Sequence, residues 1–444
     1  MSRPFAPPYP PRPSKPVATW RGFFGERART SVYGWSERAF EIDYLKRNIL
    51  GFQVHILLDP NLIEHVLLDN AANYVKPDIV KTLLDPIIGS GLLTSDGQLW
   101  RDQRKIVAAS FSPAAVEAQR AMFVQAARES MARWNAGRHD MAAEATRTTM
   151  TVIALALFGG DPRLISESSM AHIAAAIEGF SEARMLALFR LPQFPVTPKG
   201  RAGKRGQVYL RNTLAAVVDD RWHGRVAPDF LTGVIESLRQ RFPDDEARAL
   251  AIDNAATFYL AGHETTANAI TWTLYLLAAQ PELQDELAAE AQAALAGGED
   301  DAAERVPRLR LFLQESMRLY PPVPRFDRQA IASDGIGEHE VEPGDIVSIW
   351  PWMLHRHRRY WREPDAFEIE RFADKGGRHR FQYLPFGAGP RTCVGAQFAT
   401  AEALTILALW LGEWRFVEAG HDVRVAGMVT LRPRGGLPLR LERR

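Results

Sequence analysis

A chain of 444 residues with 46% hydrophobic and 24% charged side chains has an ordinary globular composition, which excludes a disordered, fibrous or collagen-like protein. Lys and Arg number 54 against 53 Asp and Glu, a net charge of +1, and this balance argues against a dedicated nucleic-acid binder. The single cysteine, Cys393, excludes an internal disulfide and argues against a cysteine-based structural zinc site.

Residues 1–16 hold seven prolines and are expected to form an extended, polyproline-like surface arm ahead of one domain over 17–444. The start carries no apolar signal core, and the longest apolar runs (151–158 and 403–411) fall far short of the ~20 residues of a membrane span. The expectation is a cytoplasmic protein without a transmembrane anchor. Residues 52–58 read as a strand, and Asp59-Pro60 opens a short helix to Asp69 with Asp59 as N-cap. From residue 98 to about 290 the chain is Ala-rich and helix-periodic, with helices over 113–134, 140–158 and 170–188. Pro192, Pro195, Pro198 and several glycines make 190–206 a loop. A long helix over 245–280 would run roughly 50 Å at ~1.5 Å per residue, and Pro281 starts the next one, 282–296. Tyr320-Pro-Pro-Val-Pro324 cannot be helix interior, and short strands and turns follow to about residue 385. A last helix over 396–414 and a strand-like tail complete a mainly α chain with minor β.

The cysteine stands in Phe386-Gly-Ala-Gly-Pro-Arg-Thr-Cys-Val-Gly395. The glycines and Pro390 form a tight turn, and a helix starting just after Cys393 favours its thiolate, the metal-binding form. Gly395 permits close packing, and Arg391 offers a fixed cation to a carboxylate. A lone cysteine is more often an inert small hydrophobe. Finding Phe386, Gly389, Arg391 and Gly395 at their spacings around it is roughly a one in 100,000 coincidence on average frequencies. The window resembles the haem-binding loop of the cytochrome P450 family, Phe-x-x-Gly-x-Arg-x-Cys-x-Gly, at every fixed position. The resemblance implies a single-domain, helix-rich fold with small sheets around haem b, and Cys393 as the iron ligand.

Further motifs follow the same family order. Ala261-Gly-His-Glu-Thr-Thr266 lies in the long helix, where Gly262 costs ~1 kcal/mol against Ala and so wants a reason. It resembles the family's Ala/Gly-Gly-x-Asp/Glu-Thr over the distal haem face, with Glu264 as acid and Thr265 as alcohol in proton delivery. The acid and alcohol side chains beside Gly262 could interrupt the local helix ladder and hold water. His263-Glu264 is no zinc-protease motif, because position 267 is Ala. Glu315-Ser-Met-Arg318 resembles the family's Glu-x-x-Arg, and Phe367-Glu-Ile-Glu-Arg-Phe372 its Pro-Glu-Arg-Phe, with Ile369 where Pro is usual. Together they imply a structural cluster of Glu315, Arg318 and Arg371. Trp100 and Arg104, at i and i+4, resemble the family's Trp-x-x-x-Arg and would meet a haem propionate, as would Arg328. His355-Arg356 matches a structural pair.

The resemblance implies a monooxygenase that activates O2 with two electrons and hydroxylates or epoxidises a lipophilic small molecule of fatty-acid, terpenoid or aromatic type. Electrons would come from a separate ferredoxin-type donor with its NAD(P)H-dependent reductase, and the protein would be a monomer. Arg101, Arg104, Lys105, Arg358 and Arg359 are docking candidates, though each is equally an ordinary surface cation. Ile87, Ile88, Leu188, Ala261, Val323, Arg325 and Val429 are candidate pocket residues, and Arg325 could meet a substrate carboxylate. A peroxide-driven peroxygenase, a non-catalytic haem-binding accessory protein, and a peroxide isomerase or dehydratase are the alternatives. The intact Glu264–Thr265 pair, Glu-x-x-Arg and cysteine favour the monooxygenase.

Overall fold

The computed structural model describes residues 5–15, 30–49, 51–188, 194–374, 376–418, 420, 422–427 and 429–444. The principal helices are α1 (Asp78–Ile88), α2 (Gly97–Ser110), α3 (Met141–Phe158), α4 (Glu167–Leu188), α5 (Pro198–Trp222), α6 (Asp244–Ala278), α7 (Pro281–Ala296), α8 (Pro307–Leu319) and α9 (Ala396–Glu413). Among the described residues no helix is long and apolar enough to cross a membrane. The chain divides into two compact units, both discontinuous in sequence. One comprises Met1–Val75, Phe123–Thr146 and Thr265–Arg444; the other Lys76–Met122 and Arg147–Glu264.

The first unit holds a five-stranded sheet of β1 (Tyr44–Ile49), β2 (Phe52–Leu57), β3 (Tyr74–Val75), β4 (Phe326–Ala330) and β5 (Ile346–Ile349), in the spatial order β1-β2-β5-β4-β3. β1 and β2 form a hairpin across Gly51, whose φ of 85° suits glycine. β2 and β5 run parallel, which forces the long connection between them. Asp59 caps the short helix Pro60–Glu64 as expected, accepting from the Asn61 N–H at 2.7 Å. Leu57, Ile63, Leu67, Val347, Ile349 and Leu384 share the core beneath this sheet. α9 is buried on nearly all sides, from Glu402 to Leu411, as expected of a helix that is hydrophobic all round.

The proline-rich arm is tied down. Pro8 C=O accepts from Tyr320 Oη at 2.7 Å, and Phe5 C=O from the Phe367 N–H at 2.9 Å. Arg12 grips Asp365 with both terminal nitrogens (2.8 and 2.5 Å) and stacks on Phe40, 3.8 Å from the ring centre.

Two helix expectations need correction. Residues 113–134 are not one helix but two, Pro113–Glu117 and Arg120–Met131, because a tight turn from Gln119 N–H to Val116 C=O (3.1 Å) resets the direction. The expected loop over 190–206 is helical from Pro198 onward, while 189–193 lie outside the described residues. Thr197 caps α5 and Pro198 occupies its first turn. Gly200, Gly203 and Gly206, spaced by three, form a stripe that meets α4. A Cβ on Gly203 would stand 2.8 Å from Gly179 Cα, and one on Gly206 2.2 Å from His172 O. These glycines serve helix packing rather than a turn.

Candidate functional site

The cysteine loop is built by its backbone. Gly387 and Gly389 adopt φ of 68° and 70°, and Cys393 N–H donates to Phe386 C=O at 2.9 Å. A side chain at Gly389 is impossible, since its Cβ would lie 1.9 Å from Leu67 O. Nothing in the sequence flagged Leu67; its role comes from a π-helical turn over His65–Asp69 that backs the loop. α9 begins at Ala396 with Gly395 as N-cap. Cys393 is exposed, whereas an inert free cysteine is usually buried. Phe386, Gly389, Arg391 and Gly395 around it are half-buried.

Behind the loop stands the Glu315–Arg318–Arg371 cluster. Glu315 and Arg318 are 0% exposed and bidentate, with Nε–Oε2 at 2.7 Å and Nη2–Oε1 at 2.8 Å. The other Arg318 donors reach the carbonyls of His355, Pro364 and Ala366 at 2.7–2.8 Å, so the whole guanidinium is satisfied. Arg371 Nε lies 3.3 Å from Glu315 Oε1, and the Glu368 N–H donates to that oxygen at 2.9 Å. His355 passes this order on, because its Nε2 accepts the Leu384 N–H at 2.8 Å, two residues before Phe386. Burial, with Arg318 and Arg356 nearby, pushes His355 down to about 3, so it accepts as a neutral ring. Arg356, buried against Trp352 at 3.8 Å, is pushed down to about 9 by desolvation.

α6 runs unbroken from Asp244 to Ala278, so the expected interruption at Gly262 is absent. The Cβ that Gly262 lacks would lie 2.7 Å from Ile153 Cδ1 on α3, a packing reason for the glycine. Thr149 Oγ1 of α3 also donates to His263 C=O at 3.0 Å. His263 is fully buried with Nδ1 2.5 Å from Tyr259 O, and burial holds it neutral. Ala261 is exposed and Glu264 and Thr265 are half-exposed, although the turns on either side are buried. A helix interior open at that one level presents an acid and an alcohol side by side.

Trp100 and Arg104 are half-buried on α2. Gln103 between them, which sequence reasoning passed over, anchors the helix: it is 0% exposed, donates to Ser90 C=O at 3.0 Å and accepts from Asn254 Nδ2 at 2.6 Å. Arg328 on β4 is 5% exposed, with Nη1 3.0 Å from Asp327 O. Arg325 is paired with Asp327 at 2.8 Å and keeps a third of its side chain exposed. Ile87 and Ile88 are buried, Val323 is half-exposed, Val429 is 47% exposed, and the Leu188 side chain lies outside the described residues. Arg358 pairs with Glu37 and Glu41, and Arg359 with Asp43. Arg101 and Lys105 are exposed.

Among the described residues no group of three or more His, Cys, Asp and Glu could hold a metal ion. The donor set is therefore a lone exposed sulfur at a helix start, with arginines suited to carboxylates, and this chemistry fits a haem iron and its propionates. The family model for cytochrome P450 matches residues 47–429. Cyclooctatin synthase of Streptomyces melanosporofaciens is 31% identical, covering 82% of this chain and 80% of that protein. LUTEIN DEFICIENT 5, chloroplastic, of Arabidopsis thaliana is 27% identical, covering 88% of this chain and 70% of that protein. The crystal structure of CYP175A1 from Thermus thermophillus superposes with a TM-score of 0.73 at 26% identity, covering 90% of this chain and 92% of that one. With the motifs in family order and a model match over most of its length, the chain belongs to the cytochrome P450 family of haem-dependent monooxygenases.

Proposed function

We propose that this protein binds haem b through Cys393 and oxidises a lipophilic small molecule with O2 and two electrons from a separate ferredoxin-type donor served by an NAD(P)H-dependent reductase. The observation that carries the reading is the exposed sole cysteine in a loop shaped by Gly387 and Gly389 and supported through His355 by the buried Glu315–Arg318 pair. The bound haem supplies the oxygen chemistry, and the protein supplies ligand, proton path and shape.

In this reading Cys393 is held as thiolate by the first N–H groups of α9. Trp100, Arg104, Arg328 and Arg391 anchor the propionates. Gly389 and Gly395 keep the loop and the start of α9 low, and Phe386 C=O fixes the loop by accepting the Cys393 N–H. Gly262 allows α6 to pass close. Glu264 accepts protons from water at its half-exposed carboxylate, and Thr265 Oγ1 donates and accepts beside it. Ala261, Val323 and Val429 contribute pocket wall. Their apolar character supports a lipophilic substrate of fatty-acid, terpenoid or aromatic type. A monomeric, cytoplasmic enzyme is consistent with this reading.

The test is a difference spectrum of the reduced protein with and without carbon monoxide. A strongly red-shifted Soret band, abolished in Cys393→Ser, is the expected result. A band at the position of histidine-ligated haem, or no haem in folded protein, overturns the assignment. Product formation with NAD(P)H and ferredoxin, against formation with peroxide alone, separates the monooxygenase from the peroxygenase.

A further inference from the structure

About three turns before Glu264, α6 carries a carboxylate that the site described above does not use. Asp253 is 7% exposed and ties three elements together. Its Oδ2 accepts the Ser90 N–H at 2.8 Å, in the segment that joins α1 to α2. Its Oδ1 accepts from Arg211 Nη1 of α5 at 2.5 Å. The backbone of the joining segment is pressed onto the helix. A Cβ on Gly89, where φ is 52°, would stand 2.1 Å from Asp253 Oδ1. One on Gly91 would stand 2.8 Å from Asp253 O and 2.5 Å from Thr257 Oγ1. Two side chains are absent where this carboxylate meets the chain.

A neutral acceptor holds one N–H at a lower desolvation cost than a carboxylate does. The next residue shows this. Buried Asn254 accepts the Leu92 N–H at 3.1 Å and donates to Gln103, whose own amide holds Ser90 C=O. The charge on Asp253 therefore wants a further reason, and Arg211 gives one. The arginine side chain is 32% exposed, so the pair joins α5 to the end of α1 at the edge of water. α1 itself packs against α4 and α5. At about 100° per residue, Asp253, Thr257 and Glu264 fall within about 40° of one another around α6. The clamped segment thus lies on the helix face that opens further along, at Ala261 and Glu264. Immediately before Gly89 stand Ile87 and Ile88, both buried.

We propose that Asp253 is a positioning residue that sets the size of the substrate pocket. By gripping the Ser90 N–H and Arg211 together, it fixes the last turn of α1, with Ile87 and Ile88, as a wall ahead of the open face of α6. This rests on the pocket proposed at Ala261 and deepens it. Asp253→Ala removes both bonds, and Arg211→Gln removes the cation while sparing the bond to Ser90.

Two readouts test the idea on the haem-loaded protein. The first is amide hydrogen exchange over residues 88–92. Asp253→Ala should speed it about tenfold or more, the equivalent of one charge-assisted hydrogen bond. The second uses imidazole and the bulkier phenylimidazole, which bind haem iron through a ring nitrogen and shift the Soret band. Asp253→Ala should move the ratio of their affinities severalfold in favour of the larger ligand, and Arg211→Gln should move it the same way. Unchanged exchange in Asp253→Ala overturns the proposal. So does faster exchange with the wild-type affinity ratio, which is the result of a merely structural clamp. If Asp253→Ala does not fold, the affinity ratio of Arg211→Gln decides, and a wild-type value overturns the proposal. The carbon monoxide band of the wild type reports separately on the haem reading. Its absence overturns that reading, while the exchange rate still decides for or against the clamp.

Discussion

A guanidinium taken out of water survives only when its N–H groups find acceptors, and Arg318 meets that condition with one carboxylate and three carbonyls. Lysine cannot reproduce this fork. Arg318→Lys should cost ~3–5 kcal/mol, since it leaves Glu315 buried and half-paired. Little haem-bearing protein should accumulate, read as the amplitude of the carbon monoxide band and the unfolding midpoint. His355 sets a pH dependence. Its ordinary value is 6.5 and its folded value about 3, so below 6.5 the unfolded chain takes up a proton that the folded chain refuses. Stability contributed by the neutral ring is complete above 6.5 and falls toward 3 by up to ~1.4 kcal/mol per pH unit. His55 and His263, also held neutral by burial, act with the same sign. Denaturant midpoints at stepped pH should show a shallower acid limb in His355→Gln than in the wild type. An identical slope would show that His355 is not a source of it.

Helix packing decides the next scale, and the α4–α5 pair carries the sharpest test. Gly203 meets Gly179 backbone to backbone, so no side-chain rotation can relieve an added group. Gly203→Val should destabilise by about 1–3 kcal/mol through overpacking. Gly233, in the helix Phe230–Arg241, has nothing within 4 Å of its would-be Cβ, and Gly233→Ala should stabilise by about 0.4–1 kcal/mol. Thermal midpoints moving in opposite directions would support both readings. These glycines also show where sequence stops being legible. Asp59, Pro281 and the long α6 announced themselves, because a cap, a helix-opening proline and an apolar period are local signals. Gly200, Gly203 and Gly206 read as loop punctuation because their reason lies on another helix. Leu67, Gln103 and Asp253 were invisible for the same cause: each matters through a partner distant in sequence. The cysteine loop and the Glu315–Arg318–Arg371 cluster were readable in advance only because several fixed residues occur together at set spacings.

At the scale of the whole molecule the net charge of +1 hides local differences that bear on a redox partner. Arg358 and Arg359 are engaged with Glu37, Glu41 and Asp43, so their field is largely cancelled. Arg101 and Lys105 are exposed on α2 and keep more of theirs. Reversing both to Glu should slow reduction by a ferredoxin severalfold at low ionic strength, with the difference fading in high salt and substrate affinity unchanged. Rates equal to wild type at low salt would remove these residues from the docking surface. The lone exposed cysteine has a practical consequence too. A thiol-directed dye added to folded protein has a single address, the sulfur that iron would claim. Unlabelled protein would count as loaded and labelled protein as empty, so one gel lane becomes an occupancy gauge that needs no substrate, no reductase and no spectrum.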